Sequence, residues 1–192
     1  MSRVTPGTGD DPGDPNVPHL AGDFPESARL GRQLLARGLT VAVAESCTGG
    51  LLGAALTAVP GASAYVRGGI IAYADTVKID LLAVDPEQLA RFGAVSAEVA
   101  AAMARGVAQL LGADLGIAIT GVAGPGAEGT TKPVGLIHVA GWCRDRTEDA
   151  ELHESGDREA NRAAAVRAAL LLGSRLTSGA RGSSAQPGAT DD

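Results

Sequence analysis

Thr40-Val41-Ala42-Val43-Ala44-Glu45-Ser46-Cys47-Thr48-Gly49-Gly50, followed by Leu51-Leu52-Gly53-Ala54-Ala55-Leu56, passes from an apolar β-type run through a polar cluster with two glycines into a helical segment. Such a junction is a strand delivering a hydroxyl, Ser46, to the start of a helix. The first backbone N–H groups of a helix lack intrahelical partners and, with the helix dipole, favour an oxyanion or a phosphate. A serine in this place also serves as an ordinary helix cap, so the junction alone leaves both readings open.

Outward from the junction the chain alternates short apolar runs with helical patterns, the signature of an α/β layer fold. On the amino-terminal side, Pro25 to Arg37 reads as a helix with Ala28, Leu30, Leu34 and Leu35 on its apolar face and Gly38 as its stop. On the other side, 50–59 reads as a helix ended by Pro60-Gly61, and 69–74 as the next strand. Ser96 is the expected N-cap of a helix over 96–111. Strands are expected over 114–120 and 134–142, and 148–154 is expected to return antiparallel to the latter. A helix over 157–176 closes the domain. The expected architecture is a three-layer α/β/α fold around a central mixed sheet, with the site carried on loops at strand ends.

The 192 residues, 45% hydrophobic and 20% charged, suit one globular domain. Residues 1–23, rich in Pro, Gly and Asp, are expected to form a disordered leader without the apolar core of a signal peptide, 24–177 the folded unit, and 178–192 a polar disordered tail. A net charge of -6 with no dense basic block argues against a nucleic-acid backbone as partner. No apolar run approaches the roughly 20 residues that cross a bilayer. Cys47 and Cys143, far apart and without metal-ligand spacing, suggest no disulfide framework and no zinc site, which fits a reducing cytoplasm.

Several loops carry reactive groups. Tyr73-Ala74-Asp75-Thr76-Val77-Lys78 leaves a strand and enters a helix, where Lys78 is either a buried, partly desolvated base for Ser46 or a solvated surface lysine. Tyr73 is either a proton relay or strand packing. The loop from Thr120 through Gly121, Gly124 and Gly126 to Gly129 allows close backbone approach to an anion, but it matches neither a nucleoside-triphosphate loop nor GxGxxG, and a plain connection reads equally well. Arg158 and Arg162, one turn apart, suit a bidentate phosphate grip or a solvated face. The three histidines, His19, His138 and His153, encode no visible Ser-His-Asp triad. Cys47 is the second candidate nucleophile; consecutive residues leaving a strand point apart, so only one of Ser46 and Cys47 is expected to face the pocket.

Taken in order, Glu45-Ser46-Cys47-Thr48-Gly49-Gly50, Gly68-Gly69-Ile70-Ile71-Ala72-Tyr73 with Lys78, Gly93-Ala94-Val95-Ser96, Thr120-Gly121-Val122-Ala123-Gly124-Pro125-Gly126 and Lys132-Pro133-Val134-Gly135 resemble the CinA C-terminal domain family over nearly all of 24–177. The resemblance implies a nicotinamide-nucleotide amidase that converts nicotinamide mononucleotide to nicotinic acid mononucleotide and ammonia, without metal or organic cofactor. It implies Ser46 as nucleophile, Lys78 as general base and Tyr73 as an assisting hydroxyl, with Thr48 and Thr120 positioning groups around the amide. The N–H groups from Thr48 through Gly49 to Gly50 are then the expected oxyanion donors. The loop 121–126, Lys132 and Arg158 are the candidates for the phosphate. It further implies a homodimer or larger symmetric assembly.

Two departures matter. Asp75 stands where the family commonly has asparagine, and a carboxylate beside Lys78 favours the ammonium form, which makes a poorer base. The longer family members carry an amino-terminal molybdopterin-binding-like domain for which residues 1–23 are too short, so a stand-alone amidase is expected. The rival readings are a non-catalytic nucleotide-binding or interaction module linked to competence or DNA damage, and a small-amide hydrolase whose substrate has no phosphate.

Overall fold

The computed structural model describes residues 20–127 and 129–178. The chain runs α1 (Leu20–Asp23), α2 (Pro25–Arg37), β1 (Val41–Glu45), α3 (Leu51–Thr57), β2 (Val66–Ile71), α4 (Asp75–Leu82), α5 (Pro86–Phe92), α6 (Ala97–Leu111), β3 (Leu115–Gly121), β4 (Leu136–Cys143), β5 (Arg146–His153) and α7 (Arg158–Ser178). The strands form one sheet in the order β2-β1-β3-β4-β5. β1 pairs in parallel with β2 and β3, while β3–β4 and β4–β5 are antiparallel, so the sheet is mixed.

The alternation along the strands sorts side chains by size onto two faces. Val41 and Val43 of β1 join Leu115, Ile117 and Ile119 of β3 and Ile137 and Val139 of β4 in a core closed by α2, α3 and α7. The intervening residues Ala42, Ala44, Ala118 and Ala140 face α6 with Val99, Met103 and Val107. Small residues let α6 lie close on the sheet: a Cβ at Gly116 would collide with the Ala104 carbonyl. The result is three layers with helices on both faces.

Cap residues account for most boundaries. Gly38 in the left-handed region ends α2, with its N–H on the last carbonyls, and the Ser96 hydroxyl accepts the Val99 N–H at 3.3 Å to open α6. Asp114 Oδ2 accepts both the N–H and the hydroxyl of Thr40 at 2.9 Å, tying together the starts of β1 and β3.

Three expectations need correction. The second strand is Val66–Ile71, three residues earlier than expected: its parallel ladder with β1 pairs Val41 with Val66 and Glu45 with Ile71, and it ends as Ala72 donates to the Glu45 carbonyl at 2.7 Å. Helix α5 was not expected; Asp85 caps it by accepting the Glu87 N–H at 2.8 Å, with Pro86 in its first turn. The segment expected to be disordered ends in a helical turn, Leu20–Asp23, while its residues 1–19, and 179–192 of the expected tail, lie outside the described residues. Among the described residues no helix is long and apolar enough to cross a membrane.

Candidate active site

The parallel register of β1, β2 and β3 aligns their carboxyl ends, since Glu45 pairs with both Ile71 and Ile119. The chain leaves β1 toward β2 and leaves β3 toward β4, in opposite directions across the sheet. Crevices form outside the carboxyl ends of strands at such a switch point. Here a cleft of about 300 Å3 is bordered by Ser46, Tyr73, Asp75, the 94–95 segment, the glycine loop and Arg158.

Ser46 follows the last residue of β1 and is half-buried, with its N–H on the Ile119 carbonyl at 3.0 Å. Its neighbour Glu45 is 1% exposed, and its carboxylate accepts the N–H groups of Gly50 (3.1 Å), Leu52 (3.0 Å) and Gly53 (2.8 Å). The first turn of α3, expected to hold a ligand's anion, therefore already holds one from its own chain. Gly49 donates to the Ser46 carbonyl, so neither Gly49 nor Gly50 has an N–H left for an oxyanion. Among the described residues, the Thr48 N–H has no protein partner, and the Cys47 N–H faces only its own thiol. Gly49 and Gly50 instead supply the left-handed backbone of the turn, with φ of 60° and 98°.

Cys47 borders the cleft together with Ser46, against the expectation that they point apart. The reason is that β1 stops at Glu45, so both residues lie in the turn and the alternation of a strand no longer applies. Burial pushes the Cys47 thiol up to about 11, although Arg158 and Arg162 act in the opposite direction. A thiol so disposed is protonated at neutral pH and a poor nucleophile, which leaves Ser46.

Lys78 is buried in α4 at 1% exposure, which removes the reading of a solvated lysine. Its ammonium donates to the Tyr73 carbonyl at 3.3 Å and pairs with Asp75 Oδ1 at 3.1 Å; no hydrogen bond joins it to Ser46 among the described residues, and it does not border the cleft. Tyr73 does border the cleft and is exposed, so its side chain is not strand packing.

The opposite wall is built by the glycine loop and the head of α7. Gly121, Gly124 and Gly126 line the cleft. Arg158 Nη1 donates to the Gly124 carbonyl at 2.6 Å, Asn161 to the Ala123 carbonyl at 3.1 Å, and Arg162 Nη2 to the Thr48 carbonyl at 2.6 Å. Three side chains of one helix end thus grip the two loops that face each other across the site. Only Arg158 of the two arginines borders the cleft; Arg162 is a brace and not part of a phosphate grip.

Thr48 and Thr120 are buried behind the cleft. The Thr120 hydroxyl donates to the Ala94 carbonyl at 2.7 Å and so fixes the 94–95 wall, while the Thr48 hydroxyl has no protein partner. Lys132 lies outside the cleft, beside Thr130, which is in its wall. His138 and His153 lie on β4 and β5, away from the cleft, and burial lowers the proton affinity of His138. Among the described residues no group of three or more His, Cys, Asp or Glu side chains is arranged to hold a metal ion. Glu45, Asn161 and Arg162 were missed as site-building residues; Glu45 had a sequence signal, an acid directly before the turn into a helix.

The chain is similar in sequence and fold to known proteins. The family model described as the CinA C-terminal domain matches residues 25–176. A CinA-like protein of Thermosynechococcus vestitus is 57% identical over 110 residues, 57% of this chain and 26% of that protein. The chain spans about a quarter to a third of the length of the curated relatives it matches. Among solved structures, a competence-damaged protein (CinA) superfamily protein from Klebsiella pneumoniae matches with a TM-score of 0.78 and 36% identity, covering 81% of this chain and 98% of that one. The competence/damage inducible protein CihA from Agrobacterium tumefaciens matches with a TM-score of 0.74 and 38% identity, covering 81% and 94%. With the strand-to-helix turn of Ser46, the glycine loop and the mixed sheet all falling inside the matched span, the chain belongs to the CinA C-terminal domain family.

Proposed function

We propose that this domain is an amidohydrolase that cleaves the carboxamide of nicotinamide mononucleotide to nicotinic acid mononucleotide and ammonia, with Ser46 as nucleophile and Lys78 as base. The observation that carries the reading is the half-buried Ser46 at the carboxyl end of a central strand, in a cleft shared with Tyr73 and Arg158, together with a buried lysine on the adjoining segment. A serine–lysine pair requires an amine held out of bulk water, and Lys78 is buried.

In this mechanism Ser46 Oγ attacks the carboxamide carbon as its proton passes to the Lys78 amine. The N–H groups of Cys47 and Thr48 take the place of the expected Gly49 and Gly50 donors around the developing oxyanion. Collapse expels ammonia with the proton returned by Lys78. Water then hydrolyses the acyl-enzyme, with Lys78 again as base. Tyr73 assists at the mouth, and Thr48, whose hydroxyl lacks a protein partner, orients the amide.

Ammonia release from nicotinamide mononucleotide by the wild type, and none by a folded Ser46→Ala protein, is the expected result. Equal release by both removes Ser46 as nucleophile. One observation favours the second reading, a nucleotide-binding module: Lys78 is engaged by Asp75 and the Tyr73 carbonyl and not by Ser46. Nucleotide binding without turnover in either protein would select it.

A further inference from the structure

We propose that Arg162 is a positioning residue for the reaction, its positive charge carried to the oxyanion through two peptide groups of the serine turn, an inference that rests on the amidase reading. Arg162 Nη2 donates to the Thr48 carbonyl at 2.6 Å. That carbonyl belongs to the peptide whose N–H is that of Gly49, and the Gly49 N–H donates to the Ser46 carbonyl at 3.1 Å. The Ser46 carbonyl in turn belongs to the peptide whose N–H is that of Cys47, one of the two donors assigned to the oxyanion. Two peptide dipoles thus stand head to tail behind that donor, each with its carbonyl toward the guanidinium and its N–H toward the oxyanion. Hydrogen bonds in such a series polarise one another.

Charge is what the arginine adds. The Thr48 carbonyl already accepts the Leu51 N–H at 3.2 Å where α3 opens, so it is not left without a partner when Arg162 is removed. Arg162 does not border the cleft, so it acts on the substrate only through the turn. The turn has a use for a positive charge. Glu45, buried at 1% exposure directly before the nucleophile, places a carboxylate beside the point where a second negative charge develops. The fields of both groups reach the turn: the Cys47 thiol, pushed up chiefly by burial, is drawn down by its own N–H, by Arg158 and by Arg162, and pushed up least by Glu45. Half-burial of Arg162 spares its interactions the full screening of water. Arg158 lies on the cleft wall and donates to the Gly124 carbonyl, which is outside the series.

The test measures kcat and KM for nicotinamide mononucleotide by ammonia release, with urea midpoints alongside, in the wild type, Arg162→Met, Arg162→Gln, which keeps a neutral donor, and Arg162→Lys, which keeps the charge. Loss of a direct oxyanion donor costs about a hundredfold or more in kcat, and loss of a charge acting through two peptides is expected to cost about tenfold in the Met and Gln variants, with KM nearly unchanged and most of kcat regained in Arg162→Lys. An Arg162→Gln protein with the kcat of the wild type overturns the relay, because a neutral brace then suffices. So does a Lys variant no faster than the Gln variant, or a loss confined to KM. If Arg162→Met fails to fold, the Gln and Lys variants make the same comparison. Should the wild type release no ammonia, it is the amidase reading that fails, and the amide-proton resonance of Cys47 in the ligand-free protein then decides the relay. An upfield move of that resonance in Arg162→Gln, with the amides of β3 unmoved, supports it, and an unchanged resonance overturns it.

Discussion

Glu45 controls the site without facing the substrate's cleft. Its carboxylate gathers the N–H groups of Gly50, Leu52 and Gly53, so the turn that presents Ser46 is pinned from within. Glu45→Ala strands three amides at a buried helix end and is expected to cost about 3 kcal/mol of stability, measured by urea denaturation. Asp75 pairs with the Lys78 side chain at 3.1 Å, a contact that holds the amine away from Ser46. Asp75→Asn is therefore expected to raise turnover severalfold at neutral pH in the ammonia assay, and a fall would show that the carboxylate helps to place the lysine. That Ser46 and Tyr73 would lie on loops at strand ends was legible in the sequence, because the junctions that carry them pass from an apolar run into a polar, helix-opening segment. The occupied amides of Gly49 and Gly50 were not, because every residue has an N–H and only tertiary structure decides where each one points.

At the scale of elements, α4 carries Lys78 and its place is set by its end. A Cβ at Gly106 of α6 would collide with the carbonyl of Leu82, the last residue of α4, so the two helices touch backbone to side-chain-free backbone. Gly106→Ala must push α4 outward and is expected to cost about 1–3 kcal/mol in thermal or urea melts, with turnover falling further than stability alone explains. Helices α2 and α6 were legible from periodicity joined to a cap, and β1 from its apolar run. The second strand was misplaced because Gly68 and Gly69 carry no side chain to show the strand's alternation. In the fold Gly69 is a close approach, since a Cβ there would press on Val43 of β1. Helix α5, at seven residues, is too short to show a period; only Asp85-Pro86 announces it.

Across the whole molecule the sheet separates a large-residue core from a small-residue one, and the two should fail in opposite ways. Ile117 and Ala118 are adjacent on β3 and both fully buried, one toward α7 and the other toward α6. Ile117→Ala is expected to destabilise by about 2–5 kcal/mol through a cavity. Ala118→Leu is expected to cost about 1–3 kcal/mol through overpacking, and both are read from urea midpoints. The layer order was legible because short apolar runs alternate with helical segments along the chain. The switch in strand direction that creates the crevice follows from strand order, which no local pattern carries.

The head of α7 grips the facing loops through the carbonyls of Thr48, Ala123 and Gly124, and a carbonyl is present whatever the side chain. The frame of the cleft is thus indifferent to much of the loop's spelling. Residues of the loop whose side chains only line the space can drift or be redesigned while the aperture keeps its span. A laboratory wishing to retarget this scaffold should vary Ala127 freely and leave the buried Val122, and Arg158, Asn161 and Arg162, alone.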